Sequence, residues 1–121
     1  LGQVLCVEQL AMSPDISCGD WAQAVARCVA QYSTAQDPLY LLPGFRLTPG
    51  DISALLTQMP RATLTDYLSY CGCYHTAAAF GIGMLFDEPA AGRYFHVNRD
   101  AAGRTLVIGV RQCDFQDKNC L

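Results

Sequence analysis

The first half of the chain repeats apolar residues at the spacing of an α-helix. After Cys18-Gly19-Asp20, positions i, i+4, i+7, i+8 and i+11 are occupied by Trp21, Val25, Cys28, Val29 and Tyr32. These positions lie on one helical face, and Asp20 is expected to cap the helix. The turn-forming pairs Asp37-Pro38 and Pro43-Gly44 then predict a loop.

A second helix is marked at both ends. Thr48 is a typical N-cap, Pro49 suits the first helical position, and Asp51 follows three residues after the cap. Pro60 ends the helix, so we expect a length of about ten residues. Its apolar face is formed by Ile52, Leu55, Leu56 and Met59.

From about residue 64 the apolar pattern changes to one that favours strands. Aromatic, β-branched and small residues predict strands at 67–74, 77–86, 93–98 and 104–113, with turns at 87–92 and 99–103. Consecutive strands joined by short turns predict an antiparallel meander. The predicted fold class is α+β, with an antiparallel sheet of about four strands from the C-terminal half and two or more helices from the N-terminal half.

Composition narrows the classes of function. With 121 residues, of which 51% are apolar, the chain is expected to form a single domain, 1–121, with a hydrophobic core of its own. The net charge of −3 argues against nucleic acid as a partner, because domains that bind it are usually strongly basic. No apolar run approaches the roughly 20 residues that a membrane helix needs.

The number of cysteines has the strongest effect on the predicted class of protein. The chain has seven, at Cys6, Cys18, Cys28, Cys71, Cys73, Cys113 and Cys120. In so short a chain, which starts at Leu1 without an initiator Met, they predict a processed, secreted domain stapled by disulfides, with one cysteine left over. The pairing does not follow from the sequence, and a reduced chain with seven thiols is the alternative.

Reactive residues are densest at Cys71-Gly72-Cys73-Tyr74-His75. Two thiolates and an imidazole are metal-ligand types, but no second Cys/His pair follows at zinc-finger spacing. A redox dithiol would need thiols of lowered pKa, and the helix N-terminus that usually lowers a thiol pKa is missing. Two structural half-cystines on one strand are the favoured interpretation, so we expect no metal and no cofactor.

The sharpest enzyme hypothesis is a small Cys/His amidase. Such an enzyme activates a thiolate with an imidazole, which a third polar group orients. The required residue types are supplied by Cys71 or Cys73, by His96, and by Asp100 or Asn98. The abundance of other cysteines favours bridging over catalysis, so the amidase remains an alternative.

Arginines and aromatic residues gather in the last two predicted strands and their turn. Arginine and aromatic side chains dominate binding hot spots, although a half-exposed sheet with outward arginines would produce the same alternation. The turn between the strands must be exposed, with Gly103 at its tip. We therefore predict a recognition surface formed by Arg93, Tyr94, Phe95, Arg99, Gly103 and Arg104.

The layout resembles that of the small cysteine-rich avirulence effectors of plant-pathogenic fungi, and within them the Leptosphaeria avirulence and suppression family. The resemblance rests on the helix over 21–28, the strand Tyr70-Cys71-Gly72-Cys73, the strand and turn over 93–99, and the ending over 110–120. The odd number of cysteines departs from the paired pattern of such effectors.

The resemblance implies a secreted protein that is not an enzyme. Effectors of this kind bind host plant proteins, are recognised by plant resistance or receptor proteins, and act outside or inside host cells. We also expect a monomer without a membrane span or a nucleic-acid partner. A secreted killer-type or antimicrobial toxin and the Cys/His amidase are the alternatives.

Overall fold

The structure, a computed structural model, describes residues 2–65, 91–99 and 104–112. Its elements follow the order β1 (Gly2–Leu10), α1 (Cys18–Gln31), β2 (Leu39–Pro43), α2 (Pro49–Gln58), β3 (Ala62–Leu64), β4 (Gly92–Arg99) and β5 (Thr105–Gln112). The predicted α+β class is confirmed. None of the helices in these ranges is long and apolar enough to cross a membrane.

The five described strands form one sheet in the order β1-β5-β4-β2-β3. Strand β5 pairs antiparallel with β1 and β4, whereas β2 pairs parallel with β3 and β4. The sheet is therefore mixed, and the prediction of an antiparallel sheet of about four strands from the C-terminal half is wrong. The antiparallel hairpin of β4 and β5 confirms one part of that prediction.

The unexpected strands are β1, β2 and β3, all of which precede residue 65. Strand β2 occupies the short apolar segment for which the turn signals at its two ends predict a loop. Strands β2 and β3 are parallel neighbours, and α2 supplies the crossover connection that parallel strands require. Strand β1 adds to the far side of β5, although no alternation in its sequence marks it as a strand.

Capping residues explain where the two helices begin. Ser17, and not the predicted Asp20, caps α1, because its hydroxyl accepts a hydrogen bond of 3.1 Å from the Asp20 amide. The prediction for α2 is confirmed. Thr48 Oγ1 accepts from the Asp51 amide at 3.1 Å, and Asp51 Oδ2 accepts from the Thr48 amide at 2.9 Å, which completes a capping box.

Both helices contribute to one core on one face of the sheet. This core comprises Cys6, Trp21, Ala22, Val25, Cys28, Val29, Leu41, Leu47, Leu55, Met59, Phe95, Val97 and Val107. Gly109 is required there, because a Cβ at this position would lie 2.7 Å from Phe95 Cε1 and 2.9 Å from Cys6 Sγ. Side chains alternate between the faces of a strand, so the buried Leu42, Tyr94 and His96 lie on the opposite face.

The predicted disulfide stapling is not supported by the described cysteines. Cys6, Cys18 and Cys28 are all free thiols. Cys6 and Cys28 are buried in the core, where a thiol packs as a small hydrophobic side chain. Cys71, Cys73, Cys113 and Cys120 lie outside the described residues, as do the predicted strands over 67–74 and 77–86 and most of the turns over 87–92 and 99–103.

Candidate functional site

A cleft of about 240 Å³ lies where β4 ends, β5 begins and α1 starts. We call it the arginine cleft. It is lined by Met12, Ser13, Pro14, Ile16, Trp21, Arg99 and Arg104. Its position follows from the sheet order, because β1 and β5 are neighbours and the segment that leaves β1 therefore passes beside the β4–β5 hairpin before it enters α1.

Trp21 forms the floor of the arginine cleft. It lies in the first turns of α1, is only 1% exposed, and its indole Nε1 donates a hydrogen bond of 2.8 Å to Thr105 Oγ1 at the start of β5. The Arg99 guanidinium lies over the indole, with Cζ 4.2 Å from the ring centroid. A cation over an indole face is attracted by the ring quadrupole, so Trp21 holds Arg99 in place.

Asp51 fixes Arg99 from a second side. Arg99 Nη1 lies 3.3 Å from Asp51 Oδ2, and the side chains are 29% and 6% exposed. Asp51 is itself held by the capping box of α2. Arg99 is thus oriented by both helices while part of its guanidinium stays accessible, which is the preorganisation that a binding residue needs.

Cys18 is the thiol next to this site. Its Sγ lies 3.5 Å from Asp51 Oδ1 and 3.7 Å from the Gly50 carbonyl oxygen. Cys18 is an exposed residue, and desolvation of its Sγ by the neighbouring atoms, together with the hydrogen bond to Asp51, raises the pKa of the thiol. A thiol of raised pKa is protonated at neutral pH and is a poor nucleophile, so Cys18 contributes no reactive thiolate beside the cleft.

The second cation of the cleft is Arg104, which is exposed and precedes β5. Two guanidinium groups thus line a cavity whose other walls include Met12, Ile16 and Trp21. Arginine presents planar N–H groups that match the two oxygens of a carboxylate. The arrangement suits an anionic group that is attached to an apolar one.

The other residues of the predicted recognition surface lie elsewhere. Arg93 is at the opposite end of β4, Tyr94 stacks on Tyr40 with ring centroids 4.5 Å apart, and Phe95 is fully buried in the core. Gly103 lies outside the described residues. The structure therefore brings together Arg99 and Arg104 out of the predicted set.

Arg93 forms a closed contact of its own. Its Nε lies 2.8 Å from Asp37 Oδ2, and its Nη1 donates a hydrogen bond to the carbonyl oxygen of Tyr32 at the end of α1. The hydrogen bond from Arg93 is the main reason why the pKa of Asp37 is lowered, with Thr34 adding to it. Arg93 thus ties the loop after α1 to the sheet.

His96 occupies the middle of β4, on the face opposite the helices, and is 2% exposed. Burial lowers the pKa of His96 to about 4, so the imidazole is neutral at pH 7. Of the other residues of the amidase hypothesis, Asn98 lies two positions after His96 in β4, whereas Cys71, Cys73 and Asp100 lie outside the described residues, as does His75. Within the described ranges, no three metal-ligating side chains are grouped.

The carboxyl ends of the parallel strands β2 and β4 are closed by a backbone contact. The Gly44 amide donates a hydrogen bond of 2.7 Å to the Val97 carbonyl oxygen, and a Cβ at Gly44 would overlap the Asn98 side chain. Asn98 Oδ1 also accepts from the Arg46 amide at 3.2 Å. Parallel sheets usually place ligands at this edge, but here Gly44 and Asn98 fill it.

Sequence reasoning missed the apolar half of the cleft. Met12, Ser13, Pro14 and Ile16 follow a strand that the pattern does not predict, so nothing in the sequence places them beside the β4–β5 hairpin. Trp21 is found on the buried stripe of α1, as expected, but its contact with Arg99 depends on the strand order. Asp51 is recognised only as a capping residue.

Comparison with known proteins gives a similarity in fold and no match in sequence. Neither a protein-family profile nor a curated protein sequence matches the chain. Among solved structures, the tetronic acid condensing enzyme AbyA1 is similar to it, with a TM-score of 0.61 at 12% sequence identity. The similarity covers 92% of this chain and 43% of that one, so this chain spans less than half of the enzyme's length.

Proposed function

We propose that this domain acts by binding a partner, and that the arginine cleft is its binding site. The observation that carries the proposal is the placement of Arg99. Its guanidinium is held by the Trp21 ring and the Asp51 carboxylate, and it lines a cavity of about 240 Å³ together with Arg104. A fixed, partly exposed arginine beside a tryptophan has the composition of a binding hot spot.

Two features favour binding over a Cys/His mechanism. Burial raises the pKa of the Cys6 and Cys28 thiols, which lie in the core on the helix side of the sheet. His96 lies on the other side. Among the described residues, the imidazole and these thiols are therefore separated by the sheet, whereas a nucleophilic thiolate needs its base within hydrogen-bond reach.

The biological setting that we propose is that of a secreted effector of a plant-pathogenic fungus, which binds host proteins and is recognised by plant resistance proteins. This setting comes from the resemblance in sequence layout. The three free thiols among the described residues lend it no support, so the effector role needs an experiment that does not depend on the cleft.

Expression in leaves with and without matching resistance genes tests the effector role. We would compare the parent, the double variant Arg99→Gln with Arg104→Gln, and Arg27→Gln, which removes an exposed arginine from the outer face of α1. A resistance-dependent response to the parent and to Arg27→Gln, lost in a folded double variant, is expected. No response to the parent in any background would remove the effector proposal, and an equal response to all three would remove the cleft from it.

A second candidate is favoured by the similarity in fold to the tetronic acid condensing enzyme. In this case the chain would be a unit of a larger condensing enzyme and would contribute a substrate-binding wall. A Cβ at Gly44 would overlap the Asn98 side chain, so the carboxyl edge of β2 and β4 is closed there and the substrate would lie in the arginine cleft instead. Formation of tetronic acid product by this chain in a reconstituted assay would support the condensing role, and its absence would leave the binding role.

A further inference from the structure

We propose that the ligand of the arginine cleft is a carboxylate carried on a compact apolar group. This inference rests on the proposed binding function and names the chemistry of its ligand. Two sources present that chemistry: a free short-chain carboxylic acid and the C-terminal residue of a peptide that ends in an apolar side chain. The experiment below separates the two sources.

The charges at the cleft favour an anionic ligand over a neutral one. Arg99 and Arg104 both line the cavity, and Asp51, which touches Arg99 at 3.3 Å, offsets part of the charge of Arg99. The thiol of Cys18 adds no negative charge, because desolvation and contact with Asp51 raise its pKa. Arginine N–H groups suit the two oxygens of a carboxylate, which is the anion that we infer.

The planar arrangement of the hydrogen-bond donors of Arg99 also favours a carboxylate. The Arg99 guanidinium has five N–H groups in one plane, and the contact with Asp51 involves Nη1. Among the described residues that contact occupies one nitrogen, which leaves the other N–H groups to meet a planar carboxylate in the two-point manner typical of arginine. Trp21 supports the guanidinium from its face and so leaves the edge, where the N–H groups lie, for the ligand.

The walls and the volume select a compact apolar group. Met12, Ile16 and Trp21 provide the apolar lining beside the two arginines. At about 240 Å³ the cavity is smaller than the roughly 300–1,000 Å³ of sites for drug-sized ligands. A branched aliphatic side chain on the same short stem as its carboxylate fits this volume, whereas a nucleotide or a long acyl chain exceeds it.

Isothermal titration calorimetry with 4-methylpentanoate is the primary test. The matched probes are 4-methylpentanamide, which keeps the shape without the charge, acetate, which keeps the charge without the apolar group, and inorganic phosphate. A peptide ending in Ala-Leu with a free carboxyl group, and the same peptide as its C-terminal amide, separate the two sources. Trp21 is the single tryptophan of the chain, so its fluorescence reports occupancy of the cleft directly.

We expect 4-methylpentanoate or the free-acid peptide to bind at least about tenfold more tightly than the uncharged, the small and the phosphate probes. Arg99→Gln should weaken that binding by about tenfold or more, and Arg99→Lys should restore only part of it, because an ammonium lacks the planar donor pair. The matched control Arg27→Gln, on the outer face of α1, should bind as the parent does.

Each outcome decides something. Binding of the free acid alone assigns the site to a small carboxylate, and binding of the peptide alone assigns it to a chain terminus. If neither carboxylate binds, or if the amide and the acid bind equally, the inferred ligand chemistry is wrong. In that case the binding function itself still stands if the double arginine variant loses the leaf response, so the two proposals fail separately.

Discussion

The two ends of β4 each carry an arginine that meets an aspartate, yet the two arginines are used differently. Arg93 lies 2.8 Å from Asp37 and also donates to the Tyr32 carbonyl oxygen. Arg99 lies 3.3 Å from Asp51, stacks on Trp21 and lines a cavity. The side chain of Arg93 is 16% exposed, that of Arg99 29%.

The difference sets a structural contact at one end of the strand against the binding contact that we propose at the other. At the Arg93 end, the guanidinium links the end of α1 and the loop after it to the sheet. At the Arg99 end, an aromatic ring and a carboxylate hold the guanidinium but do not enclose it. Substitutions at the first end should therefore affect stability, and substitutions at the second should affect binding.

Removing the support of Arg99 should have the largest effect. Trp21→Ala deletes a side chain that is 1% exposed, together with its hydrogen bond to Thr105. We expect a loss of about 3–5 kcal/mol in the free energy of unfolding, measured by urea denaturation followed by circular dichroism. Trp21→Phe keeps most of the volume but leaves the Thr105 hydroxyl without its donor, and should lose about 1–3 kcal/mol.

A loss below about 1 kcal/mol for Trp21→Ala would contradict the buried placement of the indole, since large-to-small core substitutions cost more than that. The cleft would then lack its floor, and the contrast between the two ends of β4 would lose its basis. Binding of 4-methylpentanoate to the Trp21→Phe variant, measured by calorimetry, provides an independent check.

His96 lies between the two ends of β4, and its protonation should change the free energy of unfolding. Burial lowers the pKa of His96 from 6.5 to about 4, a difference equivalent to about 3 kcal/mol. The unfolded chain takes up the proton at a higher pH than the folded chain does. The stability that His96 contributes is therefore complete above pH 6.5 and is lost as the pH falls through about 4.

Urea denaturation of the parent and of His96→Gln between pH 7 and pH 4 tests this expectation. The parent should lose stability steadily over that interval, and the variant, which cannot be protonated there, should lose about 3 kcal/mol less. Parallel curves for the two proteins would show that His96 is protonated in the folded chain and would place it in a more polar setting than the structure does.

The smallest effect is expected from the arginines themselves. Arg93→Ala removes a part-buried ion pair and a hydrogen bond to a carbonyl oxygen, and should lower the free energy of unfolding by about 1–2 kcal/mol. Arg99→Ala also removes a part-buried ion pair, because Asp51 is 6% exposed, and should cost about 1 kcal/mol while abolishing ligand binding. Thermal denaturation and calorimetry of both variants measure stability and binding, and a loss of binding in Arg93→Ala as large as that in Arg99→Ala would remove the distinction.

The helices and the final hairpin could be predicted because their signals are local. The capping box of Thr48 and Asp51, and the apolar stripe that includes Trp21, determine their structures through neighbours a few residues away. The start of α1 differs from the prediction because Ser17 offers a hydroxyl one turn earlier than Asp20, and both are good capping residues.

The sheet could not be predicted because its pairing is not local. Strand β2 is too short and too apolar to be told from a loop or a helix segment by its period alone, and its parallel pairing with β4 joins residues about 50 positions apart. The arginine cleft depends on that same order. Arg99 and Arg104 can therefore be proposed from the sequence, whereas Met12 and Ile16 beside them cannot.

The pairing of β1 with β5 makes folding a late event in synthesis. The first strand, Gly2–Leu10, finds its partner only when Thr105–Gln112 has left the ribosome, so it waits for nearly the whole chain. During that time it carries Val4 and Val7, which remain largely exposed even in the folded protein. Long-range strand pairing of this kind slows folding and leaves apolar segments open to aggregation. The chain should therefore depend on chaperones more than its modest length suggests. A small rise in the growth temperature during expression should already reduce the yield of soluble protein.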